Sequence, residues 1–193
     1  MAYDLKSVFY LDTSATITAA TAGAGSAQLD LSAYIDPIAR GRQKGTGLAI
    51  YKVHWSVVNS ETQDIVAPDD GEVGILTASL QAGLGAGDFA TGAAVTPAAA
   101  TSFAATNNLL VSAMNYYGPG SILSGAANSV PMEYIGPSKE VPYVIVRDNV
   151  CLMYNVDAAK KFTDTSTVSC RLECAQISLD QATLNQLLRT QTV

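Results

Sequence analysis

Charged side chains are scarce in this chain. Only 15% of its residues are Asp, Glu, Lys or Arg, against roughly 25% in an average globular protein. Disorder needs low hydrophobicity and high charge, yet 48% of these residues are apolar, so a packed core is expected. Histidine is rarer still: His54 stands alone among 193 residues. One histidine is too few for cupin-type metal catalysis, and a zinc site would need a second ligand pair beside Cys170 and Cys174. Long apolar runs are missing as well. None approaches the roughly 20 residues that span a bilayer. The first twenty residues carry Asp4 and Asp12 and have no apolar h-region, so a soluble product of the cytoplasm without a cleaved leader is expected.

Cysteine occurs three times, at 151, 170 and 174, and an odd count leaves at least one thiol unpaired. Four residues of strand would hold the Cα atoms of Cys170 and Cys174 about 13 Å apart, beyond the ~7 Å limit for a disulfide. The two read instead as small apolar residues on one strand face with Val168 and Leu172.

What is present is alternation with a period of two, the mark of half-buried strands. Phe9, Leu11, Ala15 and Ile17 fall on one face of the first segment; Val8, Tyr10, Asp12, Ser14 and Thr16 fall on the other. After a Gly/Ala turn, Leu29, Leu31, Ala33 and Ile35 alternate until Asp36-Pro37 ends the element. Ala49, Tyr51, Val53, Trp55 and Val57 predict one buried face of the next strand, with Lys52, His54 and Ser56 facing out. The run from residue 143 to 157 reads either as two short strands meeting at Asp148-Asn149 or as one long bulged strand. The segment 158–166 reads as a polar turn. One helix is predicted, over about 180–191, with Asp180 as its N-cap, an apolar stripe of Leu184, Leu187 and Leu188, and Arg189 in the last turn.

Between the strands lie two long segments of another character. From Ala82 to Thr106, 18 of 25 residues are Ala, Gly or Thr. Residues 116–142 hold four of the seven prolines. Both read as insertions in one domain, 1–193. About eight strands without alternating helices disfavour a parallel α/β sheet. The expected fold is all-β: an antiparallel sandwich of jelly-roll type with long insertions and a short C-terminal helix.

Catalytic chemistry is not signalled. His54 faces out from a strand, and Asp69, Asp70 and Glu72 read as a solvated turn in preference to a calcium loop. The glycines between 83 and 92 lack the Lys-Ser/Thr of a phosphate loop. No enzyme, cofactor or metal site is expected. The candidates that remain are contacts between copies: the basic loop Arg40, Arg42 and Lys44, the aromatics Phe89, Phe103, Tyr116 and Tyr117, and the helix leucines Leu184, Leu187 and Leu188.

An eight-strand reading, no active-site cluster, no leader and long weakly charged insertions together give a pattern that resembles viral capsid proteins of the single jelly-roll type, over residues 7–179. The resemblance implies a virion subunit that self-assembles into an icosahedral shell of identical copies, alongside other virion proteins, through loop and C-terminal contacts. One departure matters. Many small capsid proteins carry a basic N-terminal arm, whereas residues 1–39 here hold Lys6 as their only cation. A capsid of this chain would leave its genome to an internal membrane, another protein or counterions. The alternative reading is a lectin-like or receptor-binding sandwich using Tyr116, Tyr117 and Tyr134 on loops.

With 17 acidic and 11 basic residues the chain carries −6, a charge that repels phosphate. Weak or undetectable binding to single- and double-stranded DNA at physiological salt is expected in a filter or anisotropy assay. Sub-micromolar, salt-sensitive binding would overturn this.

Overall fold

The structure, a computed structural model, describes residues 8–36, 44–64, 73–82, 109–119, 130–157 and 161–191. Among them run nine strands: β1 Val8–Ile17, β2 Gly23–Asp30, β3 Lys44–Asn59, β4 Val73–Ala82, β5 Leu110–Pro119, β6 Val130–Ile135, β7 Tyr143–Ile145, β8 Asn149–Val156 and β9 Ser166–Asp180. A single described helix, α1, follows at Gln181–Thr190. None of the described helices is long and apolar enough to cross a membrane.

The pairing is nested. β1 lies against β9, β2 against β8, β3 against β7 and β4 against β5, all antiparallel. Rolling up that long double ribbon brings β3 also against β9 and β4 also against β8. Two sheets result, ordered β1-β9-β3-β7 and β2-β8-β4-β5-β6. Eight of the strands make the jelly roll, as expected, and β6 is an extra strand on the edge of β5. The segment 116–142 is therefore not an insertion throughout, because β5 runs on to Pro119 and β6 occupies part of the remainder. Pro131 falls on β6, at the end of its sheet, and edge strands are where proline is accommodated. The earlier insertion falls almost wholly outside the described residues. Residues 143–157 resolve into two strands, β7 and β8, in opposite sheets.

Between the sheets sits an apolar core that includes Ile17, Leu48, Ile50, Leu76, Leu80, Leu152 and Leu172, each under 2% exposed. Val168, Cys170 and Cys174 join it from β9, as the alternation predicts. Phe162, expected in a polar turn, is also 1% exposed and plugs this core.

The predicted single face of β3 is corrected by a bulge. The register with β9 slips between Ile50 and Lys52, leaving Tyr51 as an extra residue. An extra residue reverses the side that every later side chain faces. Leu48 and Ile50 therefore point inward before the bulge, and Val53 and Val57 after it, with Trp55 packed beside them. Ala49 and Tyr51 turn outward into a second cluster with Val146, Ala175, Ile177, Leu179 and Leu184. The helix covers that cluster.

β2 also differs from its sequence reading. It begins within the expected glycine turn and stops at Asp30, whose carboxylate accepts the Ser32 N–H at 2.8 Å. Such Asx turns compete with strand geometry, so Leu31 and Ile35 are buried from a turn and Ala33 is exposed. Gly25 sits within the strand because the Tyr154 ring lies where a Cβ would be. The Tyr154 hydroxyl goes on to donate to the Thr16 carbonyl at 2.8 Å, tying one sheet to the other.

Helix α1 is held at both ends. Asp180 accepts the Thr183 N–H at 2.8 Å, and that bond pulls its carboxyl below the ordinary aspartate range. At the far end the Gln191 side chain donates to the Val144 carbonyl at 2.6 Å and accepts the Val146 N–H at 3.2 Å. Arg147 donates twice to the Gln191 carbonyl, at 2.9 and 2.7 Å. Under the helix Gly45 leaves room for Leu184, since a Cβ there would stand 2.9 Å from the leucine Cδ2 and 3.1 Å from the Asp36 carbonyl.

Two outcomes are expected. Gly45→Val should overpack this seam and lower unfolding stability by about 1–3 kcal/mol, measured by urea denaturation; an unchanged midpoint would show that the seam is loose. The Asp180 cap has a depressed folded pKa, so its contribution is complete above the unfolded value of roughly 4 and is lost as pH falls through the folded one. Exchange protection of the Thr183 amide should therefore drop below about pH 4 in the native protein, and Asp180→Asn, an uncharged cap, should remove that pH dependence.

Candidate functional site

The two sheets treat their outer faces differently. On the second sheet Ser79, Gln81, Cys151 and Met153 are all at most 3% exposed, although Leu80 and Leu152 between them already fill the inner core. The first sheet instead presents the outer side chains of β1, and of β3 beyond its bulge, to solvent.

Register places that open face in rows. Asp12 lies opposite Arg171, which lies opposite His54; Ser14, Ser169 and Ser56 form the next row; Tyr10, Glu173 and Lys52 form the row on the other side. Small serines between larger neighbours leave a groove of about 820 Å3, lined by Tyr10, Asp12, Ser14, His54, Ser56 and Arg171 among others. The Arg171 Nε donates to the Asp12 carboxylate at 2.6 Å, and its guanidinium stands 5.9 Å from the Tyr10 ring centroid. Both charged side chains are about 60% exposed, so solvent screens the pair and its net worth is small. Glu173 stands 3.9 Å from His54 and 3.8 Å from Lys139, separations of electrostatic contact and not of hydrogen bonds. The groove is thus a charge-balanced polar surface with one exposed aromatic, Tyr10 at 57%.

Nucleophilic chemistry is suppressed in the described core. Burial pushes the Cys151, Cys170 and Cys174 thiols up to about 12, so at neutral pH they stay protonated and inert. All three are free and buried. Burial likewise pushes the Tyr143 phenol up to about 12. Trp55 packs against the core and its indole N–H donates to the Ser112 hydroxyl at 2.9 Å, linking the two sheets. His54 faces outward, as the alternation predicts, with 46% of its side chain exposed.

The contact candidates scatter. Tyr116 is corrected: it is 2% exposed within β5, its ring 5.9 Å from that of Phe162, so it lies in the core and not on a loop. Leu184 is corrected for the same reason, being fully buried under the helix. Leu187 and Leu188 pack partly on the second cluster. Lys44 is exposed at the start of β3, opposite Asp180. Arg40, Arg42, Phe89 and Phe103 lie outside the described residues, as do Asp69, Asp70, Glu72, the glycine-rich segment from 83 to 92, and the side chains of Tyr117 and Tyr134. The sequence alone does not reveal the grouping of Tyr10, Asp12 and Arg171. Alternation already faced Tyr10 and Asp12 outward, but nothing local to β1 or β9 says that the two are neighbours.

The class that the fold defines is an antiparallel jelly-roll sandwich, and this rests on the strand pairing itself. No protein-family model matches the chain, and no curated protein matches it. Among solved structures it is similar to Merkel cell polyomavirus VP1 in complex with GD1a oligosaccharide, with 6% identity over 93% of this chain and 99% of that one, at a TM-score of 0.45. It is also similar to trichodysplasia spinulosa-associated polyomavirus VP1 in complex with GM1 oligosaccharide, with 9% identity, 93% and 96% coverage and a TM-score of 0.42. A third is a structure of Desmodium yellow mottle tymovirus, with 9% identity, 90% and 87% coverage and a TM-score of 0.36. These neighbours are jelly-roll viral capsid proteins.

Proposed function

We propose that this chain is a structural subunit of a virus shell, one domain over 1–193 that closes a particle by contacts between copies. The observation that carries the reading is the nested jelly-roll pairing around a filled interior. Jelly rolls serve mainly as capsid subunits, lectins and cupins. A cupin needs a metal-binding interior, whereas this one is packed with Ile17, Leu48, Ile50 and Leu152, and its histidine lies on the outer face. Low charge favours the subunit role, because weakly charged surface costs little desolvation when copies meet. Contacts are assigned to Lys44, Leu187, Leu188, Arg40, Arg42, Phe89, Phe103 and Tyr117. The partners are further copies and other virion proteins, in a virion whose genome is neutralised by an internal membrane, another protein or counterions.

The second reading, a lectin-like or receptor-binding module, is favoured by the outer groove with its exposed Tyr10. It no longer draws on Tyr116. Light scattering after size exclusion, followed by electron microscopy, separates the two. The subunit reading expects symmetric particles or ring-shaped capsomers at high concentration; a monomer or small oligomer with a sugar-dependent signal would refute it.

A further inference from the structure

Sheet edges carry rows of unpaired N–H and C=O groups, and soluble proteins normally block them with lysine, proline, bulges or covering segments. The first sheet has two edges, β1 and β7. The β7 edge is blocked, since the Gln191 amide fills the Val144 carbonyl and the Val146 N–H as another strand would. The β1 edge differs. Its sequence VFYLDTSATI holds no proline, no lysine and one charge, and its register with β9 runs without a bulge.

The direction of its backbone groups follows from two bonds. The Thr16 carbonyl accepts from Tyr154 of the other sheet, so it points away from β9. The Phe9 carbonyl accepts from the Cys174 thiol on β9, so it points the other way. Alternation then turns the N–H and C=O groups of Val8, Tyr10, Asp12 and Ser14 outward. Among described residues the exposed large hydrophobics are Val8 at 49%, Tyr10 at 57% and Val141, and the first two stand on this edge. Leu11, on the inner face, is only partly buried.

The geometry points to β1 as a self-association edge: two copies pair their β1 strands antiparallel about a two-fold axis at Leu11, fusing two four-stranded sheets into one. A second copy is the fitting occupant because the strand is its own complement. In this register Val8 faces Ser14 of the other copy and Tyr10 faces its Asp12, with about eight backbone hydrogen bonds. Centring the axis on Asp12 instead would oppose two carboxylates, which is destabilising. The chosen axis sets two half-buried Leu11 side chains together and places Tyr10 beside the other copy's Asp12–Arg171 pair.

The test is a register-specific cross-link. Tyr10→Cys and Asp12→Cys are prepared separately and mixed in a glutathione redox buffer; their Cα atoms would lie about 5.5 Å apart, within disulfide reach. The three native thiols, all buried, contribute little background. The mixture should form covalent dimer about tenfold faster than either variant alone, and faster self-linking of either variant, or no linking, overturns the register. Tyr10→Lys combined with Ser14→Pro alters only the outward edge, and circular dichroism checks its fold. Sedimentation should show its self-association weakened at least about tenfold; unchanged association overturns the proposal. A protein that passes both tests yet builds no particles refutes the shell reading and leaves this one standing.

Discussion

Everything in the first sheet hangs on β9. It is the strand that β1 and β3 share, along fifteen residues Ser166–Asp180. Its inner face delivers Val168, Cys170, Leu172 and Cys174 to the main core. Its other face delivers Ala175, Ile177 and Leu179 to the cluster under the helix. One strand therefore serves two apolar layers, and its burial alternates in both halves, with the phase reversing where Cys174 and Ala175 are buried in succession. The bulge at Tyr51 is what lets β3 follow it, turning Ala49 and Tyr51 toward the helix while Val53 and Val57 stay in the core.

That arrangement explains which parts of the fold were legible in the sequence. Alternation within a strand is local, so the inner faces of β1 and β9, the outward His54 and the cap at Asp180 could be read directly. Bulges are not local, because the extra residue is defined only by the partner strand; Tyr51 carries no mark of its own. The turn at Asp30 was hidden because Leu31 and Ile35 keep the apolar spacing of a strand while leaving it. Phe162 was hidden by polar neighbours.

The outer groove illustrates the same limit. Its outward residues could be found on β1 and β3, but the row joining Asp12, Arg171 and His54 exists only through cross-strand register. Tyr116 shows the converse. An aromatic in a proline-rich stretch reads as a loop residue, yet its ring packs at a tilt against Phe162 inside the sandwich. In both cases the deciding partner lies tens of residues away.

The pairing of β1 with β9 also sets a schedule. Val8 meets Ala175 and Ile17 meets Ser166, so the first described strand made on the ribosome is completed by the last. Translation at roughly 5–20 residues per second puts a wait on the order of ten seconds between them. During that interval Phe9, Leu11, Ala15 and Ile17 have no sheet to join. Closure of such a non-local pairing is intrinsically slow. The apolar face of β1 therefore waits without its own sheet until β9 has emerged.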